Sequence, residues 1–487
     1  MDSIRILYWP NISVSKNIKS DSAFNLMHQI IKYINKNRYW HFYVCLPEET
    51  DEEYVFEHFP ALDCENVTIL RVPMSKHRRL SGYEFNYDEL RKAIKVWDID
   101  LDLIINMLPE YTASLSQFFS RSLDRSLGPI NVPIVSVFNW PHSWHTKHQQ
   151  IIDTRVAFRQ YEGHYFSEQT WTYSDVARDL IYEIGERFNA KHKEVHKMYY
   201  GLDLDEYQPY LNKDYGKFRD VDGKVRFLFN HRNNRYCGVD RLQEWVKRLS
   251  AIRQDFKLVL KNPAWLDELK RNKNMQKFVD DYADFVEINP NVNKYKEEFY
   301  ADMARCDVAM CAHVYLPWNL SCQEAALMGL PIFGPQDTAL DEILTPDYPF
   351  LFKNIRDMVT IASDLIDSIL AGEEMPDTKS LVLRYDWNKI IPSWILEIEK
   401  IVGKYRFAEY GGAKRNSLPG ILMKHGKPFT KKELRDKIKY TKPNGKVHTI
   451  LPGMEESNWT RQRQVFLKAG YKDDCSKSEP TFYHPDW

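Results

Sequence analysis

The chain has no excess of either charge. Its 67 Lys and Arg stand against 68 Asp and Glu, a net charge of -1. That balance excludes a molecule-wide polyelectrolyte and leaves only local charged surfaces. No apolar run approaches the roughly 20 residues that cross a bilayer. The N-terminus, MDSIRILYWP, lacks the basic, then apolar, then small-residue succession of a signal peptide. The seven cysteines (Cys45, Cys64, Cys237, Cys306, Cys311, Cys322 and Cys475) are odd in number, scattered and without a C-x-x-C pair. They read as reduced core residues of a cytoplasmic protein rather than as a disulfide framework. G-x-G-x-x-G, the P-loop, H-E-x-x-H and G-x-S-x-G are all missing, which disfavours the commonest dinucleotide, phosphotransfer and hydrolase chemistries. There is no internal repeat and no low-complexity tract.

What is present is a long alternation of strand and helix patterns. At 487 residues, 43% hydrophobic and 28% charged, the chain exceeds one ordinary core and has the composition of globular domains. Strand-like runs at 4–9, 41–46, 67–72, 101–107 and 132–138 are separated by helix patterns at 23–34, 90–96 and 114–123. The alternation resumes at 224–229, 256–260, 285–288, 308–311 and 331–333. Between the first two of these strands, Val239, Leu242, Val246 and Leu249 mark one apolar helix face. Strands joined by helix-length crossovers predict mostly parallel, doubly wound α/β sheets. The segment 385–402 predicts one or two terminal helices.

The stretch Leu316–Leu344, LPWNLSCQEAALMGLPIFGPQDTALDEIL, carries the clearest chemical signal. Glu324 sits in the first turns of a small, apolar helix, where a purely structural helix would gain nothing from it. Helix N-termini offer unpaired N–H groups to anions, and a carboxylate accepts two hydrogen bonds from a vicinal diol. The pair suits a nucleotide diphosphate and its ribose; an ordinary βα unit with a solvated Glu is the alternative.

Lys197–Pro209, KMYYGLDLDEYQP, lies between the two alternating regions. Its Gly201, Leu202, Asp203, Tyr207 and Pro209 resemble the interdomain segment of GT-B glycosyltransferases, particularly retaining family 4. Phe227–Leu242, FLFNHRNNRYCGVDRL, is similar to that family's strand, arginine-bearing loop and helix start, with Arg232 and Gly238 on the pattern. Glu324, Ala325, Gly329, Pro331 and Glu342 fall on its acidic helix, its Gly-x-Pro break and the Glu of the next helix. Tyr385-Asp386-Trp387 resembles the start of a C-terminal helix that crosses back onto the first domain. The resemblance is good over 197–402, weaker over 1–196 and absent beyond.

The resemblance implies a GT-B fold, two Rossmann-like doubly wound domains facing a cleft. An acceptor domain would span 1–200, a nucleotide-sugar domain 201–385, a crossing helix 386–403 and a small appendage 404–487. It further implies transfer of a sugar from a nucleotide-sugar donor to a hydroxyl with retention of configuration, without a metal or other cofactor. Glu324 would hold the ribose, with the base near Val292. Arg232 would hold the diphosphate, assisted by Arg235, because the family's Lys is Cys237 here. Asn319, Leu320 and Ser321 would complete the donor site. In the first domain, VSVFNWPHSWH places His142 as a catalytic candidate and Asn139 and His145 as acceptor ligands, past the carboxyl end of a strand. The chain departs from the pattern at Leu316, where the first Glu of the family's Glu-x7-Glu stands, and in the loop 10–20, which has no Gly-rich turn. An unusual sugar, other sugar-reading groups or lost activity are the three readings of Leu316.

Two further motifs are demoted. Asp98-Ile-Asp100-Leu-Asp102 has the Asp-x-Asp spacing of metal-dependent glycosyltransferases of another fold, yet it precedes a strand and reads as solvated loop acids. His142, His145 and His148 lack zinc-site spacing. Beyond Val402 the character changes: residues 404–446 hold thirteen Lys/Arg and three Asp/Glu, interleaved with Tyr405, Phe407, Tyr410, Phe429 and Tyr440. Two short helices, 431–438 and 461–468, are expected there. Basic groups attract phosphates and aromatics stack on bases, so the extension permits a DNA acceptor such as a hydroxymethylated pyrimidine. A solvated basic face is the plainer reading. Other acceptors compatible with the sequence are a glycan, lipid or protein hydroxyl, and a non-catalytic GT-B binding protein is the reading from a different class.

Overall fold

The structure is a computed structural model. It describes residues 4–10, 21–34, 40–48, 50–72, 101–119, 132–141, 154–187, 193–231, 237–261, 269, 272–289 and 296–411, and five short strands beyond. The first seven strands are β1 (Ile4–Trp9), β2 (Trp40–Pro47), β3 (Val67–Val72), β4 (Leu103–Asn106), β5 (Ile134–Phe138), β6 (Gln169–Thr172) and β7 (Val195–Lys197), in the order β3-β2-β1-β4-β5-β6-β7. A second sheet orders β8 (Val225–Phe229), β9 (Phe256–Leu260), β10 (Val286–Ile288), β11 (Val308–Met310), β12 (Ile332–Pro335) and β13 (Leu351–Phe352) as β10-β9-β8-β11-β12-β13. In both, the first strand in sequence lies inside the sheet and the order reverses beside it, the doubly wound pattern. Pairing is parallel, β8 with β9 from Val225↔Phe256 and β8 with β11 from Phe227↔Val308. The chain packs as two compact units, residues 1–135 with 166–168 and 393–487, and residues 136–165 with 169–392.

In the first unit, the Ser22–Ile34 helix turns Ala23, Phe24, Met27, Ile30, Ile31 and Ile34 inward at helical spacing. Asp21 starts it by accepting from the N–H of Ala23 at 2.9 Å. Leu7, Trp9, Cys45, Val72, Ile104 and Leu115 share one core. In the second unit, the expected stripe Val239, Leu242, Val246 and Leu249 is buried together with Trp245, which packs edge-on against Phe227 and Phe256. Each such side chain contributes roughly 1.5–3 kcal/mol.

Several expectations change in detail. Strands β6, β7 and β13 and the helices Thr154–Phe166 and Asp175–Arg187 are additional to those read from sequence. The helix expected at 114–123 runs Thr112–Phe118. Asp102 is half-buried, and its carboxylate accepts from the backbone N–H of Arg5 at 2.8 Å, joining the start of β4 to β1. The terminal helix runs Trp387–Gly411 with Pro392 inside it. The extension contributes β14 (Phe429–Thr430), β15 (Lys439–Thr441), β16 (Val447–Thr449), β17 (Lys472–Asp474) and β18 (Thr481–Tyr483). β15 and β16, flanking Pro443-Asn444-Gly445, pair antiparallel, and β14-β18-β17 form a second small sheet. The helices expected at 90–96, 431–438 and 461–468 lie outside the described residues, as do Asp98 and Asp100. Among the described residues, no helix is long and apolar enough to cross a membrane.

Candidate functional site

Three separate sequence motifs meet in the second unit. The N–H of Leu202 donates to the carbonyl of Tyr385 at 2.8 Å, and the N–H of Trp387 donates to the carbonyl of Leu202 at 3.0 Å. The two stretches thus form a parallel bridge, Leu202 opposite Asp386. Gly201 is required by this approach, because a Cβ there would lie 2.6 Å from the Tyr385 carbonyl oxygen. On the same spot the rings of Tyr199, Trp318 and Tyr385 pack mutually, with centroids 5.3–5.9 Å apart. Trp318 immediately precedes Asn319 and the Leu320–Leu327 helix, so the Gly-Leu-Asp motif, the Tyr-Asp-Trp motif and the acidic helix share one aromatic cluster.

Glu324 is half-buried on that helix and accepts from the hydroxyl of Tyr207 at 2.8 Å. Tyr207 is buried and lies edge-on to Tyr300, with centroids 5.2 Å apart. Burial, and then the Glu324 charge, push the Tyr207 phenol well above its ordinary value, so it stays a neutral donor. The aromatic of the interdomain motif therefore orients the carboxylate. Asn319 is the helix N-cap: its Oδ1 accepts from the N–H of Cys322 at 3.0 Å, while its amide donates to Cys311 Sγ at 3.5 Å. That side chain positions the helix start, whereas Leu320 and Ser321 sit half-buried in the first turn. Leu316 is 1% exposed. Its side chain belongs to the core, and its carbonyl accepts from Ala339 at 3.1 Å.

Gly238 starts the Val239–Ser250 helix with φ +79°, and a Cβ there would lie 1.8 Å from the Ala312 carbonyl oxygen. Only glycine satisfies both demands. Asn139, just past β5, accepts a short hydrogen bond from Tyr173, whose ring lies 6.5 Å from Trp318. The neighbouring Trp140 meets Tyr315 edge-on at 5.6 Å. Asn139 is thus one ring away from the cluster around Trp318. His142, His145, Arg232, Arg235 and Val292 lie outside the described residues.

Glu342 also has a defined partner set. It binds Lys197 Nζ at 3.1 Å and the backbone N–H of Asp175, while Lys197 reaches Asp175 at 2.7 Å. Burial raises the Glu342 carboxyl, against the pull of the Asp175 N–H and the Lys197 charge. Lys197, Tyr199, Glu342, Arg384 and Tyr385 line a cavity of about 230 Å³ beside the aromatic cluster. Lys197 was not singled out from sequence, although it opens the Gly-Leu-Asp segment.

Sequence reasoning also missed a buried group of soft ligands. His231, two residues past β8, lies beside Cys311 and His313, which follow β11 on the neighbouring strand. The detectable signal was a Cys-x-His ending one parallel strand next to a His ending its neighbour, invisible until β8 and β11 are known to be adjacent.

Two parallel α/β sheets in this succession have the GT-B architecture, the fold of known nucleotide-sugar glycosyltransferases. Among solved structures, sucrose-phosphate synthase from Thermosynechococcus elongatus is similar at TM-score 0.62 and 14% identity, over 82% of this chain and 100% of that one. Anabaena HepE in complex with UDP-glucose is similar at TM-score 0.57 and 13% identity, over 82% and 100%. The UDP-forming α,α-trehalose-phosphate synthase from Burkholderia vietnamiensis is similar at TM-score 0.58 and 12% identity, over 83% and 100%. No family model matches the chain, and no curated protein matches it in sequence.

Proposed function

We propose that this chain is a glycosyltransferase that moves a sugar from a nucleotide-sugar donor to a hydroxyl acceptor. The observation that carries the reading is Glu324, set in the opening turns of the Leu320–Leu327 helix and aimed by the Tyr207 hydroxyl. A carboxylate fixed beside a helix N-terminus suits a ribose diol next to a diphosphate. The likeness to HepE, whose structure holds UDP-glucose, supports the same donor class.

In this reading the family resemblance supplies the remaining roles. Arg232, with Arg235, and the amides at Leu320 and Ser321 stabilise the departing diphosphate, so no metal is required. Val292 lies by the base, His142 faces the donor sugar, and Asn139 and His145 address the acceptor. The acceptor oxygen attacks the anomeric carbon on the face the leaving group departs from. The bond from that carbon to the diphosphate oxygen breaks, and the acceptor proton passes to the leaving diphosphate. The products are a glycoside with retained configuration and a nucleoside diphosphate. Domains at 1–200 and 201–385, a linking helix and a basic extension form part of the same reading, as does a cytoplasmic location.

The basic extension supports DNA carrying hydroxymethylated pyrimidines as the acceptor, through phosphate attraction and base stacking. Mass spectrometry of reactions pairing nucleotide sugars with hydroxymethylated DNA or simple glycans tests both halves. A hexose or pentose mass added to DNA, lost in Glu324→Ala, is the expected result. Transfer only to glycans discards the DNA acceptor, and nucleotide binding without any transfer discards the enzyme in favour of a binding protein. A chain ending at Gly411, which spares the terminal helix, should lose salt-sensitive DNA binding; unchanged binding counts against a role for the extension.

A further inference from the structure

β8 and β11 are adjacent and parallel, and their carboxyl ends deliver three metal-binding side chains to one buried spot. The ligand atoms of His231, Cys311 and His313 all lie within 4.8 Å of one another, and Cys311 Sγ is 3.1 Å from His313 Nδ1. The two imidazoles stand nearly perpendicular, 89° between planes and 4.5 Å between centroids, so each can turn a nitrogen toward a common point. Zinc takes tetrahedral sets of nitrogen and sulfur at about 2.0 and about 2.3 Å, which puts neighbouring ligand atoms roughly 3.3–3.8 Å apart. Around an ion, the Cys311–His313 pair at 3.1 Å would open slightly and the wider separations, up to 4.8 Å, would close. The chemistry is selective as well, since imidazole with thiolate disfavours magnesium and calcium, which take oxygen ligands.

We infer that His231, Cys311 and His313 form a zinc site at the carboxyl edge of the second sheet. The surroundings are those of a prepared site. The Asn319 amide donates to Cys311 Sγ at 3.5 Å, and Arg241 holds the His313 carbonyl at 3.2 Å, outer contacts of the kind that orient metal ligands. Binding forms bonds to the ion from two imidazole nitrogens and the Cys311 sulfur, water takes the fourth position, and the proton displaced as the sulfur binds as thiolate goes to solvent. The ion would fasten the ends of β8 and β11 to each other. The site stands independently of the sugar-transfer reading.

The test uses the full, tag-free chain purified without chelator. About one zinc per chain by elemental mass spectrometry is expected. Exchange into cobalt should give a thiolate-to-cobalt charge-transfer band and visible bands of tetrahedral intensity. Cys311→Ser should remove the charge-transfer contribution of its sulfur and weaken binding about tenfold or more, while Cys306→Ser, a buried thiol elsewhere, should change neither. Should Cys311→Ser fail to fold, the wild-type chain decides by itself. Folded wild-type protein with under about 0.1 zinc per chain, no cobalt spectrum and the same melting temperature in zinc as in EDTA would overturn the site. So would an unaltered cobalt spectrum in Cys311→Ser.

Discussion

Replacing Tyr207 by Phe removes one oxygen atom and tests how Glu324 is held. The hydroxyl donates to the carboxylate at 2.8 Å, and the ring keeps its edge-on contact with Tyr300. Packing is preserved and one charge-assisted hydrogen bond is lost, about 1.5–3 kcal/mol. Part of that loss should appear in the stability of the second unit. On the proposed donor site, the rest should appear in nucleotide-sugar binding, because a less firmly held carboxylate must be ordered by the ligand. A tenfold rise in the dissociation constant for UDP-glucose corresponds to about 1.4 kcal/mol. The pH dependence gives an internal check. The buried Tyr207 phenol titrates well above the 10.0 of an exposed one, so its stabilisation is fully present below about pH 10. Above that, the unfolded chain loses its proton first, and native stability falls by about 1.4 kcal/mol per pH unit. Tyr207→Phe lacks this liability, so its deficit should narrow as pH climbs from 9 to 11. Calorimetric melts and titration calorimetry with UDP-glucose measure both effects. Equal melting temperature and equal affinity in Tyr207→Phe would refute the claim that this hydroxyl orients Glu324.

Three other perturbations follow from the same geometry. Leu316→Glu, which writes the missing family carboxylate back in, should cost roughly 3–5 kcal/mol by burying an uncompensated charge, read as a lower melting temperature and no gain in turnover; a stable, faster variant would mean the position faces the donor. Gly238→Ala should destabilise by roughly 2–6 kcal/mol, since it combines left-handed backbone strain with a clash against the Ala312 carbonyl, and a melt within a degree of wild type would contradict that. Hydrogen bonds and charge from Arg226 hold Asp222 at about 2 against 3.8, so the stability it adds is present above about pH 4 and lost as pH falls through about 2. Asp222→Asn should therefore flatten acid denaturation across that window, and an identical acid limb would argue against the pairing.

The sheets were legible because parallel strands buried on both faces leave short apolar runs such as VRFLF and FKLVL, and the helix over β8 leaves a clean stripe from Val239 to Leu249. β7 and β13, of three and two residues, are too short to show a pattern against their neighbours. In the extension, β14 pairs with the distant β18, a partnership that local pattern does not encode. At the site, Glu324 and Gly238 were readable because a carboxylate in an apolar helix and a glycine at a helix start are locally odd. Tyr207 and Lys197 were not readable as partners of Glu324 and Glu342, because 117 and 145 residues separate the pairs. Tertiary pairing alone creates those contacts. The same holds for His231 against Cys311 and His313.

The bridge between Leu202 and Asp386 means that the polypeptide enters and leaves the second sheet at a single clasp. The 183 residues between those two positions form a loop closed by backbone hydrogen bonds and by the packing of Tyr199 on Tyr385 and Tyr200 on Trp387. Such a segment has its ends side by side, which makes it a natural candidate for circular permutation. Undoing the clasp at either crossing would release both, so a bulky residue at Gly201 should loosen the exit at Trp387 as much as the arrival at Tyr199.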